Sequence, residues 1–241
     1  MRLLLMSNSR MEGRGYLEHA TTAIADVIGG SGKGVLFIPW AMVVRSFDDY
    51  LDLVRPVFVG LGCTVESIHR ARDPSAAVAA ADVIMVGGGN TWHLVRQLHL
   101  HGVSDAIRGA VRGGTPYVGW SAGANVACPT FQTTNDMPIC DPLGFDTLDL
   151  VPFQLNPHYV HGKPAGVGGE TREERILEYV ALHPGVWVAG LRDGLMFRVE
   201  DGSIHLLGST TCRVWRNGEP ARELGPDDEF GFLLHPDPGT F

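Results

Sequence analysis

Cysteine is scarce in this chain and scattered. The 241 residues hold four, Cys63, Cys128, Cys140 and Cys212, with no CxxC pair among them. That excludes the short thiol clusters that bind zinc or exchange disulfides, and fits free, mostly buried thiols in a reducing compartment. Long apolar runs are also missing. The first one stops at Met6, short of the roughly 7–15 residues of a signal core, and nothing later approaches the ~20 apolar residues of a membrane span. The expectation is a soluble, cytoplasmic protein with no membrane partner. A basic surplus is lacking too: net charge is -8, and Lys and Arg form no stripe of the kind that tracks phosphates, which argues against nucleic acid. Repeats, low-complexity tracts and long linkers are absent.

What is present is apolar residues, 44% of the chain, enough for one large α/β domain over residues 1–241. Short apolar runs at 3–6, 35–38, 83–86 and 117–120 read as buried strands of a parallel sheet. Helical spacing at 17–28, 47–61 and 103–111 lies between them, so strands and helices alternate, with right-handed crossovers and helices on both faces. Beyond residue 140 the pattern predicts a strand at 148–153, a helix at 172–182 and a strand at 186–189. Three further β-rich runs, 195–199, 204–207 and 212–215, are separated by the turn pairs Asp201-Gly202, Gly208-Ser209 and Asn217-Gly218, an antiparallel extension expected on the same sheet.

The strongest chemical signal is Gly119-Trp120-Ser121-Ala122-Gly123-Ala124, directly after an apolar run and before a helix-compatible stretch. A G-x-S-x-G elbow needs that context: small residues two places either side of a nucleophile in a strained turn let strand and helix approach. Read blandly, it is only a tight turn.

A serine hydroxyl needs a base, and histidine suits the task near neutral pH. Of ten histidines, His158 in Asn156-Pro157-His158-Tyr159 follows a strand and would be held at a sheet edge. The imidazole in turn needs a carboxylate to fix its tautomer. Asp193, opening the Asp193-Gly194 turn after an apolar run, and Asp136, in a loop between nucleophile and base, are both candidates, and each is equally at home as a plain turn residue.

Acyl transfer also requires donors for a developing oxyanion. Val86-Gly87-Gly88-Gly89-Asn90-Thr91 follows a buried strand and precedes a helix, placing backbone amides beside the sheet's carboxyl edge. Gly88 or Gly89 together with Ala122 would supply them, with Asn90 a neighbouring substrate contact. The competing reading is a phosphate loop, but neither G-x-x-x-x-G-K-[ST] nor a full G-x-G-x-x-G is present.

These segments, together with Gly169-Glu170-Thr171-Arg172-Glu173-Glu174-Arg175-Ile176, closely resemble the peptidase E (α-aspartyl dipeptidase) family of serine peptidases, in order and over most of the chain to about residue 200. The resemblance implies a fold like that of class I glutamine amidotransferases, with a serine in place of their cysteine, and cleavage of dipeptides that begin with aspartate. Carried over, Ser121 is the nucleophile, His158 the base, Gly89 or Gly88 and Ala122 the oxyanion donors, and Asp193 the favoured acid ahead of Asp136. Arg172 would pair with the substrate's aspartate side chain, since guanidinium forks bind carboxylates; as an ordinary residue it is a helix-surface arginine beside Glu173 and Glu174. No cofactor or metal is implied. Residues 195–241, a β-rich extension with an acidic, proline-rich tail, carry no motif expected from the resemblance, which bears on whether copies assemble as a homo-oligomer.

Two other functions share these motifs. A cyanophycinase-like serine hydrolase would cut β-aspartyl linkages in a polymer and spare α-aspartyl dipeptides. A non-catalytic small-molecule binding module would keep the elbow only as a turn.

Overall fold

A computed structural model describes residues 1–163 and 168–235. In chain order the elements are β1 (Arg2–Met6), α1 (Thr21–Ile28), β2 (Gly34–Ile38), α2 (Phe47–Gly60), β3 (Thr64–Ser67), α3 (Pro74–Ala80), β4 (Val83–Val86), α4 (Thr91–His101), α5 (Ser104–Arg112), β5 (Tyr117–Trp120), α6 (Ala122–Asn125), β6 (Gln154–Pro157), α7 (Arg172–Leu182), β7 (Val188–Leu191), β8 (Met196–Glu200), β9 (Ser203–Leu207), β10 (Cys212–Trp215) and β11 (Arg222–Leu224).

The main sheet has the order β3-β2-β4-β5-β1-β8-β9. Its first five strands pair in parallel, while β8 and β9 add antiparallel beyond β1. The strand period of two sorts residues between its faces. Leu4, Met6, Phe37, Met85 and Trp120 join α1 and α2 in one apolar cluster. Leu3, Leu5, Ile38, Ile84, Val86 and Tyr117 face α4 and α5 in the other. Both faces are therefore covered, which is why these strands read as unbroken apolar runs.

Local signals fix the helix starts. Ser46 caps α2 by accepting from the Asp49 N–H, and Asp73 caps α3 ahead of Pro74. Thr171 and Glu174 close a capping box at α7, a reciprocal pairing that satisfies two otherwise unpaired donors.

Three expectations need correction. The strand expected at 148–153 is β6, at Gln154–Pro157. The N–H groups of Leu148 and Leu150 bond instead to the carbonyls of Val126 and Ala127, just past α6, so this buried segment mimics a strand's pattern without a strand partner. The helix expected from residue 17 starts as a 3-10 turn at Glu18–Ala20 and becomes α-helical only at Thr21, because Leu17 takes a left-handed conformation. The C-terminal extension is split between two sheets. β8 and β9 join the main sheet, but β10 and β11 belong to a second sheet of order β11-β10-β7-β6, in which β6 and β7 run parallel. The end of the proline-rich tail, residues 236–241, lies outside the described residues.

Candidate active site

Ser121, Gly88, Gly89, His158 and Asp193 sit just past the carboxyl ends of parallel strands, where ligands of open α/β sheets bind. Register brings those ends together: Met6 lies opposite Trp120, Val86 opposite Gly119, and Pro157 opposite Leu191 in the second sheet. The next residues are Ser7, Ser121, Gly87, His158 and the Arg192-Asp193 turn.

Ser121 leaves β5 with φ 52° and ψ −113° and begins α6. For a non-glycine residue this backbone costs on the order of 1–3 kcal/mol and persists only where neighbours impose it. Here they do. A Cβ on Gly119 would lie 2.4 Å from the Gly123 oxygen, and one on Gly123 would lie 2.1 Å from the Val86 oxygen. Strand and helix therefore approach through the two glycines of the elbow, and the Ser121 N–H is tied to the Met6 carbonyl at 3.0 Å.

His158 follows β6, also at positive φ (56°). Its Nε2 lies 3.0 Å from Ser121 Oγ and its Nδ1 lies 2.8 Å from Asp193 Oδ1. Asp193 follows β7 in a turn closed by the Leu195 N–H on the Arg192 carbonyl, with Gly194 at φ +88°. The hydrogen bond from His158 holds the Asp193 carboxyl below its ordinary value, against the opposing effect of partial burial. Of the two carboxylates left open by the motifs, Asp193 is the one bonded to His158. Asp136 is spent on the start of α4, where its Oδ2 accepts from the Thr91 N–H at 2.7 Å and from the Thr91 hydroxyl at 2.5 Å.

The glycine loop packs against the nucleophile. A Cβ on Gly88 would stand 3.0 Å from Ser121 Cβ, and one on Gly89 (φ +143°) would stand 2.3 Å from the Ala41 oxygen. Among the described residues, the N–H groups of Gly88, Gly89 and Ala122 bond to no protein acceptor. Asn90 caps α4 through its Oδ1 on the His93 N–H, and its Nδ2 donates to the Met137 carbonyl at 2.9 Å. Arg172, the first residue of α7, donates to the His158 carbonyl and adjoins the cleft of Ser121 without being among the residues that line it.

That cleft, about 420 Å³, is lined by Gly88, Gly89, Ser121, Asp136 and His158, and also by Arg10, Arg45, Tyr16 and Tyr50. Arg10 and Arg45 make no ion pair among the described residues.

Two neighbours escaped the motif reading. Ser7, fully buried, accepts the His158 N–H at 2.9 Å and donates to the Leu191 carbonyl, with Asp193 Oδ1 at 3.3 Å. Asn8 Oδ1 accepts the Gly194 N–H at 2.8 Å. Their position directly after the first apolar run, equivalent to that of Ser121, was the available signal. No group of three or more His, Cys, Asp or Glu side chains among the described residues is arranged to hold a metal ion, and no described helix is long and apolar enough to cross a membrane.

The profile of peptidase family S51 matches residues 3–207. A peptidase E from Nostoc sp. (strain PCC 7120) is 45% identical over 233 residues, covering 97% of this chain and 96% of its own length. A peptidase E from Salmonella typhimurium (strain LT2) is 45% identical over 230 residues, covering 95% of this chain and all of its own. The crystal structure of a peptidase from an acI-B1 Actinobacterium superposes with a TM-score of 0.65 at 16% identity, over 95% of this chain and 96% of that one, a likeness of fold.

Proposed function

The chain belongs to peptidase family S51, a family of serine-type peptidases, and on that premise we propose that it hydrolyses dipeptides with an N-terminal aspartate through an acyl-enzyme on Ser121. The observation that carries this reading is the unbroken hydrogen-bonded chain Ser121 Oγ, His158 Nε2, His158 Nδ1, Asp193 Oδ1.

In the proposed reaction Ser121 Oγ attacks the scissile carbonyl carbon while its proton passes to His158 Nε2. Asp193 accepts the Nδ1–H throughout, fixing the tautomer that leaves Nε2 free and stabilising the imidazolium. The carbonyl oxygen takes up the negative charge against the N–H groups of Gly89 and Ala122, with Gly88 as the alternative to Gly89. One such preset donor is worth about 2.7–4 kcal/mol in the transition state. The imidazolium then gives its proton to the departing amine, and water, deprotonated by His158, releases aspartate and restores Ser121.

Specificity for aspartate is read from charge. In a protein of net charge -8, Arg10 and Arg45 bring two cations without an ion-pair partner among the described residues to the cleft of Ser121, which Asp136 also lines, suited to a substrate carrying a side-chain and a terminal carboxylate. Arg172, already bonded to the His158 carbonyl, is the further candidate for the aspartate side chain. The four free cysteines support a cytoplasmic location. Homo-oligomers are the remaining partner proposal, to be tested by sedimentation.

A fluorophosphonate tests the reading directly. Loss of Asp-Leu hydrolysis in step with mass added to the peptide bearing Ser121 is expected; full turnover after complete labelling would contradict it.

A further inference from the structure

The cleft's floor contains a buried tyrosine that the proposed mechanism does not use. Tyr50, in the first turn of α2, is 2% exposed, and its ring meets Phe37 edge-on at 5.0 Å. Three groups surround its hydroxyl: Trp120 Nε1 at 3.0 Å, the Tyr16 hydroxyl at 3.2 Å and the Gly88 carbonyl oxygen at 3.1 Å. An indole N–H can only donate and a carbonyl can only accept. The Tyr50 oxygen therefore receives the Trp120 proton, and its own single proton goes to Gly88, with Tyr16 as a second donor. Burial keeps that proton in place by pushing the phenol well above its ordinary value.

The Gly88 carbonyl belongs to the same peptide plane as the Gly89 N–H, and across a trans peptide the two point in opposite directions. Holding the carbonyl against the buried Tyr50 turns the Gly89 N–H the other way, towards the cleft where Gly89 is exposed. The plane lies between two glycines, residues with few conformational barriers. Unrestrained, it is free to flip and present a carbonyl oxygen to the developing negative charge. Glycine at 87 belongs to the same device, since a Cβ there would stand 2.7 Å from the Tyr50 hydroxyl.

We propose that Tyr50 is a positioning residue for the oxyanion site: its hydroxyl, oriented by Trp120 and Tyr16, anchors the Gly88 carbonyl and so keeps the Gly89 N–H aimed at the substrate's carbonyl oxygen. This rests on the acyl-enzyme reading above. The effect falls on the transition state, because negative charge develops on the oxygen only as the tetrahedral adduct forms.

The test is Tyr50→Phe, which keeps the ring and removes the hydroxyl, with kcat expressed per Ser121 titrated by the fluorophosphonate so that misfolded protein does not count. With Asp-Leu, kcat is expected to fall about 10- to 100-fold, below the loss of a whole oxyanion donor, with KM within about twofold. An aspartyl aldehyde, which forms a tetrahedral adduct on serine, is expected to weaken by the same factor. A kcat within twofold of wild type, or a loss confined to KM, would overturn the assignment. Full activity in Ser121→Ala would instead remove the acyl-enzyme reading, so the two failures are distinguishable. Should Tyr50→Phe not fold, 3-fluorotyrosine at position 50 keeps size and partners and changes only donor strength: altered kcat at constant KM is expected, and an unaltered kcat would overturn the proposal.

Discussion

The hydroxyl of Ser7 accepts the backbone N–H of His158 at 2.9 Å across 151 residues of chain. That bond ties the end of β1, in the main sheet, to the end of β6, in the second, and it holds a histidine whose backbone is in the left-handed region. Removing it leaves a partly buried N–H without a partner, a cost of about 1–3 kcal/mol. Ser7→Ala is therefore expected to lower the melting temperature and to reduce kcat about tenfold as the imidazole loses its fixed approach to Ser121. Wild-type kcat in a folded variant would show that His158 is positioned without it.

The two carboxylates near the site are expected to separate by kind of effect. Asp193→Asn leaves the imidazole in the wrong tautomer, and kcat should fall on the order of 10³–10⁴-fold with little change in stability. Asp136→Asn weakens the start of α4, and the expected loss is about 1 kcal/mol of stability with at least a hundredfold smaller effect on kcat. Steady-state kinetics and urea melts on both variants decide this.

The elbow leaves no room at Gly123. Its added Cβ would lie 2.1 Å from the Val86 oxygen, a backbone contact that no side-chain rotation relieves. Gly123→Ala should cost about 3 kcal/mol or more and abolish labelling of Ser121. A stable, fully labelled Gly123→Ala protein would contradict the account of the turn.

How far these relationships were legible in the sequence depended on their range. The elbow and the strands around it could be read because turn chemistry and apolar runs are local. His158 was readable as a strand-end histidine, even though the apolar run before it lies a few residues ahead of β6 itself. The choice between Asp193 and Asp136 was not, because it depends on β6 pairing with β7 across more than thirty residues. β3, with exposed and buried residues alternating over four positions, and the short α3 carried too little pattern to register. Ser7 and Tyr50 reach backbone groups distant in sequence through side-chain hydrogen bonds, and no spacing rule reports those.

Acid stability has a defined source beside the site. Glu223 is buried in part, which alone would raise its carboxyl. Hydrogen bonds from Arg192, Thr211 and Arg213 outweigh that and lower it from an ordinary 4.5 to about 2. A carboxylate held low binds fewer protons folded than unfolded in that window, so its stabilisation is complete above about 4.5 and is lost as pH falls towards 2. The urea midpoint of Glu223→Gln should lie below wild type at pH 6 and converge with it near pH 2. A constant gap across that range would place the effect outside titration. Arg192 directly precedes Asp193, so the same variant reports on the turn that carries the acid.

The central claim is serine-dependent hydrolysis of α-aspartyl dipeptides, and the most direct measurement compares Asp-Leu, Leu-Leu and β-Asp-Leu with wild type and Ser121→Ala side by side. The account predicts cleavage of Asp-Leu alone, reduced at least 10³-fold in the variant. Cleavage of β-Asp-Leu in preference to Asp-Leu, or Asp-Leu turnover that survives the loss of Ser121, would contradict it.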